Sequence, residues 1–338
     1  MMNSVGSIRL AHLLLAALTV AVLSTPQTLQ AQQNWQATVG AQSSDKARQA
    51  LAFLPNELWI HAGDTITWTA KADDIHTVTF LTATQIVPSF QAGCPGYSPS
   101  GSTFDGSACV STPPLARGQT FAILFPKAGN YKVECLVHNA MTGTIHVLDA
   151  SAPLPHGQDF YNDQAAAQAR LLFSESQPEM RMSHGDEDSV RVYSGNKQVI
   201  AGVGELSATA GGTQLASLVR FLNGTIQIHE GDTVEWSNMD PQEPHTITFG
   251  TEPGNTFLPS SNVTVDADGA RHATLNFIGD SVHSGFIDAT PQDVAGSPFE
   301  QPLHVTRFRV TFKAAGTYPY ICALHDNLGM VGKVIVLP

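Results

Sequence analysis

Positive charge is scarce in this sequence. Seventeen Lys and Arg face 29 Asp and Glu among 338 residues, a net charge of −12. No basic stripe exists, which argues against nucleic acid or an anionic lipid surface as partner. Charged residues are only 14% and hydrophobic ones 42%, so the chain is globular and not disordered. Long apolar runs are also lacking. The single candidate, Leu10–Leu23, has 14 residues, fewer than the ~20 that span a bilayer. With Arg9 as the only charge before it and Ala31 as the last residue ahead of a cleavage point, 1–31 reads as an export signal, with an uncleaved anchor the alternative. The mature chain is then expected to begin near Gln32, to carry no membrane span and to work in the periplasm or outside the cell.

Cysteine is sparse, with four residues. Cys94 and Cys109 flank the Gly-, Ser- and Pro-rich segment CPGYSPSGSTFDGSAC. In an oxidising compartment they are expected to pair, and closing such a loop stabilises by about 3 kcal/mol. Cys135 and Cys322 sit in two related stretches, YKVECLVHNAM and YICALHDNLGM.

Those stretches belong to a longer repeat. IHAGDTITWTAKADDIHTVTF from Ile60 matches IHEGDTVEWSNMDPQEPHTITF from Ile228, the second with one extra residue before its HTxTF. FAILFPKAGNYKVECLVHNAMTGTIHV from Phe121 matches FRVTFKAAGTYPYICALHDNLGMVGKVIV from Phe308. The same order of blocks in each half means two copies of one domain. Period-two alternation (Phe121, Ile123, Phe125; Phe308, Val310, Phe312) and the turns between them predict strands. The expected fold is all-β, two tandem Greek-key β-sandwiches over 32–150 and 196–338. The connector 151–195 is expected to hold a short helix, Gln164–Phe173, followed by exposed linker. Loop-like departures fall around 89–115 and 280–303.

Each copy gathers soft and borderline metal ligands: Cys135, His138 and Met141, then Cys322, His325 and Met330. A short peptide cannot surround a metal alone. The repeat supplies one more histidine per copy, His76 and His245, at the head of HTxTF. Two His, one Cys and a distant Met constitute the ligand set of a type 1 copper electron-transfer site. On these motifs both halves resemble cupredoxins of the plastocyanin/azurin type. Cys-x2-His-x4-Met in the second copy has plastocyanin-like spacing, and Cys-x2-His-x2-Met in the first the shorter amicyanin-like loop. The resemblance implies one copper per half on those eight residues. It also implies one-electron Cu(II)/Cu(I) transfer to redox protein partners, through His138 and His325 near an apolar surface.

Two-domain cupredoxins also include copper oxidases and nitrite reductases, and copper buffering is a third reading. The enzymes carry His-x-His on the first ligand strand and a His beside the ligand Cys. Here Val78 and Ile247 stand two beyond His76 and His245, and Glu134, Leu136, Ile321 and Ala323 flank the cysteines. An electron carrier and not an enzyme is therefore the expectation. Glu134 should point away from the metal, on the opposite face from Cys135. His61 and His229 repeat ahead of GDT and are expected to be exposed strand positions, with an extra metal site the alternative. His146, His156, His184, His272, His283 and His304 show no paired ligand spacing. Asn223 and Asn262 head N-x-T sequons, which matter only in a glycosylating host.

Overall fold

Alternating burial builds the sandwiches. In Asp64–Ala70 every second side chain is buried, and Thr225–His229 and Thr233–Met239 follow the same rule, as a half-buried strand must. The computed structural model describes residues 32–175, 197–289 and 305–338. The proposed signal segment, the end of the connector, most of the 280–303 insertion, His184 and His304 lie outside the described residues.

The first half runs β1 (Asn34–Gln42), β2 (Arg48–Leu54), β3 (Glu57–His61), β4 (Asp64–Ala70), β5 (Thr79–Phe80), β6 (Ser102–Thr103), β7 (Val110–Ser111), β8 (Thr120–Phe125), β9 (Gly129–Glu134) and β10 (Thr142–Leu148). After helix α1 (Gln158–Glu175), the second half opens with β11 (Gln198–Ala208), β12 (Thr213–Leu222), β13 (Thr225–His229), β14 (Thr233–Met239) and β15 (Thr248–Phe249). It continues with β16 (Thr264–Val265), β17 (Arg271–Leu275), β18 (Val282–His283), β19 (Arg307–Phe312), β20 (Gly316–Ile321) and β21 (Val331–Leu337). Each half has its own five-stranded sheet, β3-β10-β9-β5-β7 and β13-β21-β20-β15-β18. These are the tandem β-sandwiches expected from the repeat. Their cores match: Trp68 meets Phe80 at 5.7 Å between ring centroids, and Trp236 meets Phe249 at 5.7 Å.

The other sheet is not divided. Eleven strands run continuously in the order β16-β17-β19-β14-β11-β12-β2-β1-β4-β8-β6. The seam is the antiparallel pair β2–β12, with Leu51 opposite Leu215, Ala50 opposite Ala216 and Gln49 opposite Ser217. Pairing these edges satisfies backbone groups that would otherwise be exposed templates for aggregation. Residues 32–338 accordingly form one compact unit.

Helix α1 is longer than the expected Gln164–Phe173 and does more than connect. Leu172, Ala165, Ala169 and Phe173 pack on Ala50, Ala52, Leu54 and Ala216, a patch of small side chains on the outer face of the seam. Tyr161 is fully buried, and its hydroxyl accepts from Trp59 N and donates to Trp59 O.

Candidate metal centres

The first centre is assembled from two places. His76 precedes β5 and is fixed by a bridge in which Leu115 N donates to its carbonyl at 2.8 Å. Cys135 directly follows β9, and a tight turn carries the chain through His138 and Met141 to β10. Cys135 N donates to Met141 O at 3.0 Å and Met141 N to His138 O at 2.8 Å, closing that turn. His76 Nδ1 lies 3.1 Å from His138 Nδ1, and Cys135 Sγ lies 3.9 Å from His138 Nδ1. Met141 is completely buried beside Cys135 in the same core.

The second centre repeats this geometry. His245 pairs with Ile287 through two backbone hydrogen bonds. His245 Nδ1 lies 3.2 Å from His325 Nδ1, and Cys322 Sγ lies 3.5 Å from His325 Nδ1 and 3.9 Å from His245 Nδ1. The two extra residues of the longer loop are absorbed by a 3-10 turn, Asp326–Leu328, that ends on Gly329 at φ +91°. Cys322 N donates to Met330 O at 3.0 Å, so Met330, also fully buried, is tied to the cysteine as Met141 is.

The threonine of each HTxTF holds the sulfur. Thr77 N donates to Cys135 Sγ at 3.3 Å, and Thr246 N donates to Cys322 Sγ at 3.3 Å. Their hydroxyls accept from Leu136 N and Ala323 N at 2.7 Å each, locking the cysteine strand to the histidine strand. Behind the histidines sit two glycines the sequence reading did not single out. Gly40 (φ +65°) and Gly202 (φ +78°) lie where the pairing of β1 and β11 shifts register. A Cβ there would fall 2.3 Å from His76 Nε2 and 2.0 Å from His245 Nε2. A left-handed glycine at a bulge is the residue that permits such close approach. The recurrence of Val39-Gly40 and Ala201-Gly202 at matching strand positions was the available signal.

Burial pushes both thiols up. Hydrogen bonds and charge from His138 and His76 outweigh it at Cys135, and those of His325 and His245 do so at Cys322, bringing each well below its ordinary value. A low-lying thiolate is the form that ligates metal. Each triad brings its ligand atoms within 4.8 Å of one another, all buried. One thiolate, two imidazoles and one thioether, all from buried residues, suit copper and not a hard oxygen-seeking cation.

The C-terminal histidines of the two turns are buried, His138 2% exposed and His325 5%, and both line an apolar-walled cavity. The paired sheets turn them toward each other across the seam. Between them stands Glu243, itself buried, with Oε1 3.1 Å from His138 Nε2 and Oε2 3.5 Å from His325 Nε2. Asp74 Oδ2 is 3.6 Å from His138 Nε2. Burial, then the charge of Glu243, pushes Asp74 up to about 6. Burial acts on Glu243 in the same sense, but His138 and His325 outweigh it and hold the carboxyl well below its usual range. A cavity of about 280 Å³ adjoins, walled by Phe90, Val137, Phe257, Phe286 and Leu324 and reaching the surface near Ile75.

The other expectations divide. Cys94 and Cys109 form the disulfide, Cα–Cα 5.5 Å. Glu134 is buried, pairing with Lys132 at 2.6 Å, the residue two back on its own face. His61 is not an exposed strand residue: it is buried, with Nε2 2.8 Å from Ala152 O, because the connector folds over it. His229 is exposed. His283 is buried between Thr248 Oγ1 (2.7 Å) and Thr256 O (3.0 Å). Glu243 was missed altogether. Its signal was an acid two residues before the HTxTF histidine in each copy, Asp74 and Glu243.

A family model described as copper binding proteins, plastocyanin/azurin family, matches residues 40–148 and 208–337. A plastocyanin of Synechococcus sp. is 29% identical over 112 residues, 33% of this chain and 60% of that protein. A chloroplastic plastocyanin of Tetradesmus obliquus is 30% identical over 134 residues, 39% of this chain and 70% of that protein. Among solved structures, a reduced variant of amicyanin matches at 20% identity over 34% of this chain and 81% of its own, with a TM-score of 0.24.

Proposed function

Because the chain belongs to the plastocyanin/azurin family of copper-binding proteins, we propose that it is an exported two-centre blue-copper electron carrier. Its domains are 32–150 and 196–338. His76, Cys135, His138 and Met141 hold one type 1 copper; His245, Cys322, His325 and Met330 hold the other. The observation that carries this reading is the convergence, twice over, of two imidazole Nδ1 atoms on one buried cysteine sulfur.

Copper, when bound, supplies the one-electron Cu(II)/Cu(I) couple. The residues do the rest. The Thr77 and Thr246 amides share the negative charge of each thiolate. The backbone bonds that close each turn hold the cysteine, histidine and methionine, and the bridges to Leu115 and Ile287 hold His76 and His245, so little reorganisation would accompany electron transfer. Redox proteins reached from the rim of the shared cavity are the proposed partners. The periplasm or the extracellular space is the proposed location.

Metal analysis with electron paramagnetic resonance tests this. Two coppers per chain, each with the spectrum of a thiolate-bound type 1 centre, are expected. Cys322→Ser should remove one of the two signals and leave the other. Loss of both would contradict separate centres. Turnover of nitrite, oxygen or phenols by the copper-loaded chain would replace the carrier with an enzyme.

A further inference from the structure

The repeat should have made two similar acids at the seam, and it did not. Asp74 and Glu243 occupy corresponding places, each two residues before its own domain's first ligand histidine. Asp74 approaches only the histidine of its own half, at 3.6 Å. Glu243 is one methylene longer and crosses. It is nearer to His138 of the other half (3.1 Å) than to His325 of its own (3.5 Å). The loop that aims it is braced: Asp240 Oδ1 accepts from Gln242 N and Glu243 N at 3.0 Å, and Gln242 Oε1 accepts from Ala140 N across the seam at 3.0 Å.

We propose that Glu243 is a positioning residue shared by both centres, a carboxylate that joins His138 to His325 and gives the chain an internal route between its two coppers. This rests on the two-copper reading above. In both turns Nδ1 faces the cysteine sulfur, so metal on Nδ1 leaves the proton on Nε2, and Nε2–H is then a donor. A carboxylate has two oxygens and can accept one such bond from each ring, the metal–histidine–carboxylate arrangement doubled on a single residue. A third cation among Asp74, His138 and Glu243 would have to displace the His138 proton, whereas a carboxylate 3.1 and 3.5 Å from the two rings leaves both protons in place. In the internal step one electron leaves the reduced centre and arrives at the oxidised one. Both imidazole protons stay where they are.

Two substitutions separate reach from charge. In Glu243→Gln the amide can accept from one ring but turns N–H toward the other, and the negative charge is gone. Glu243→Asp keeps the charge and loses a methylene of reach. The test uses the copper-loaded chain. After rapid one-electron reduction, redistribution between the centres should proceed at a rate independent of protein concentration. It should slow about tenfold or more in both variants. Both potentials should rise in Glu243→Gln and move less in Glu243→Asp. In the fully reduced, diamagnetic protein, two slowly exchanging Nε2–H proton resonances are expected, and both should shift in Glu243→Gln. Retained visible absorption from both centres shows that the variants fold. Wild-type protein with fewer than two type 1 coppers overturns the function reading and the link together. Two coppers with an unchanged internal rate, a response at only one histidine in Glu243→Gln, or a third bound metal overturns the link alone.

Discussion

At the residue scale, the centres depend on side chains that are absent as much as on those present. Gly202→Ala places a Cβ 2.0 Å from His245 Nε2 in a left-handed backbone; the backbone alone costs about 1–2 kcal/mol. Copper titration of this variant should show the second centre lost or much weakened and the first intact. Gly40→Ala should give the reverse, and normal loading of both sites would sink the account of these glycines. Met330→Leu keeps the buried volume and removes the sulfur proposed as axial donor, which would stabilise the oxidised ion. The second centre should keep its copper and its potential should rise; an unchanged potential would argue against Met330 as axial ligand.

At the scale of elements, α1 is a clamp on the seam. Its Leu172 is 1% exposed among alanines of β2 and β12. Small residues on the strands let the helix lie close, so truncating Leu172 leaves a hole that nothing nearby can fill. Leu172→Ala should cost about 2–5 kcal/mol, read by urea denaturation. The visible absorption of both centres should be unchanged, because the helix touches neither ligand turn. A loss below ~0.5 kcal/mol would mean the helix is only a tether. The sequence placed a helix within Gln158–Glu175 but underestimated it. The first turns contain Tyr161, whose burial depends on Trp35 and Trp59 from distant strands.

At the scale of the molecule, the continuous eleven-stranded sheet makes the halves interdependent. Separating them would expose the edges β2 and β12 and the buried pair Glu243 and His138. The metal-free chain should therefore unfold in one calorimetric transition, with calorimetric and van't Hoff enthalpies agreeing. Two resolved transitions would show that the seam does not couple the domains.

The tandem all-β architecture, the disulfide and the eight side chains proposed for the two centres were legible in the sequence. These are written in short-range order: period-two strands, turn residues, and a Cys, His and Met held in one loop by chain connectivity. Even the fourth member, His76 or His245, came from repetition of a local motif. What the sequence did not show is that the two histidine turns face each other, that His138 and His325 are buried, and that one glutamate lies between them. Those facts follow from the pairing of β2 with β12, a choice between two edge strands 160-odd residues apart. No local pattern encodes it, because either edge alone reads as an ordinary strand until its partner is known.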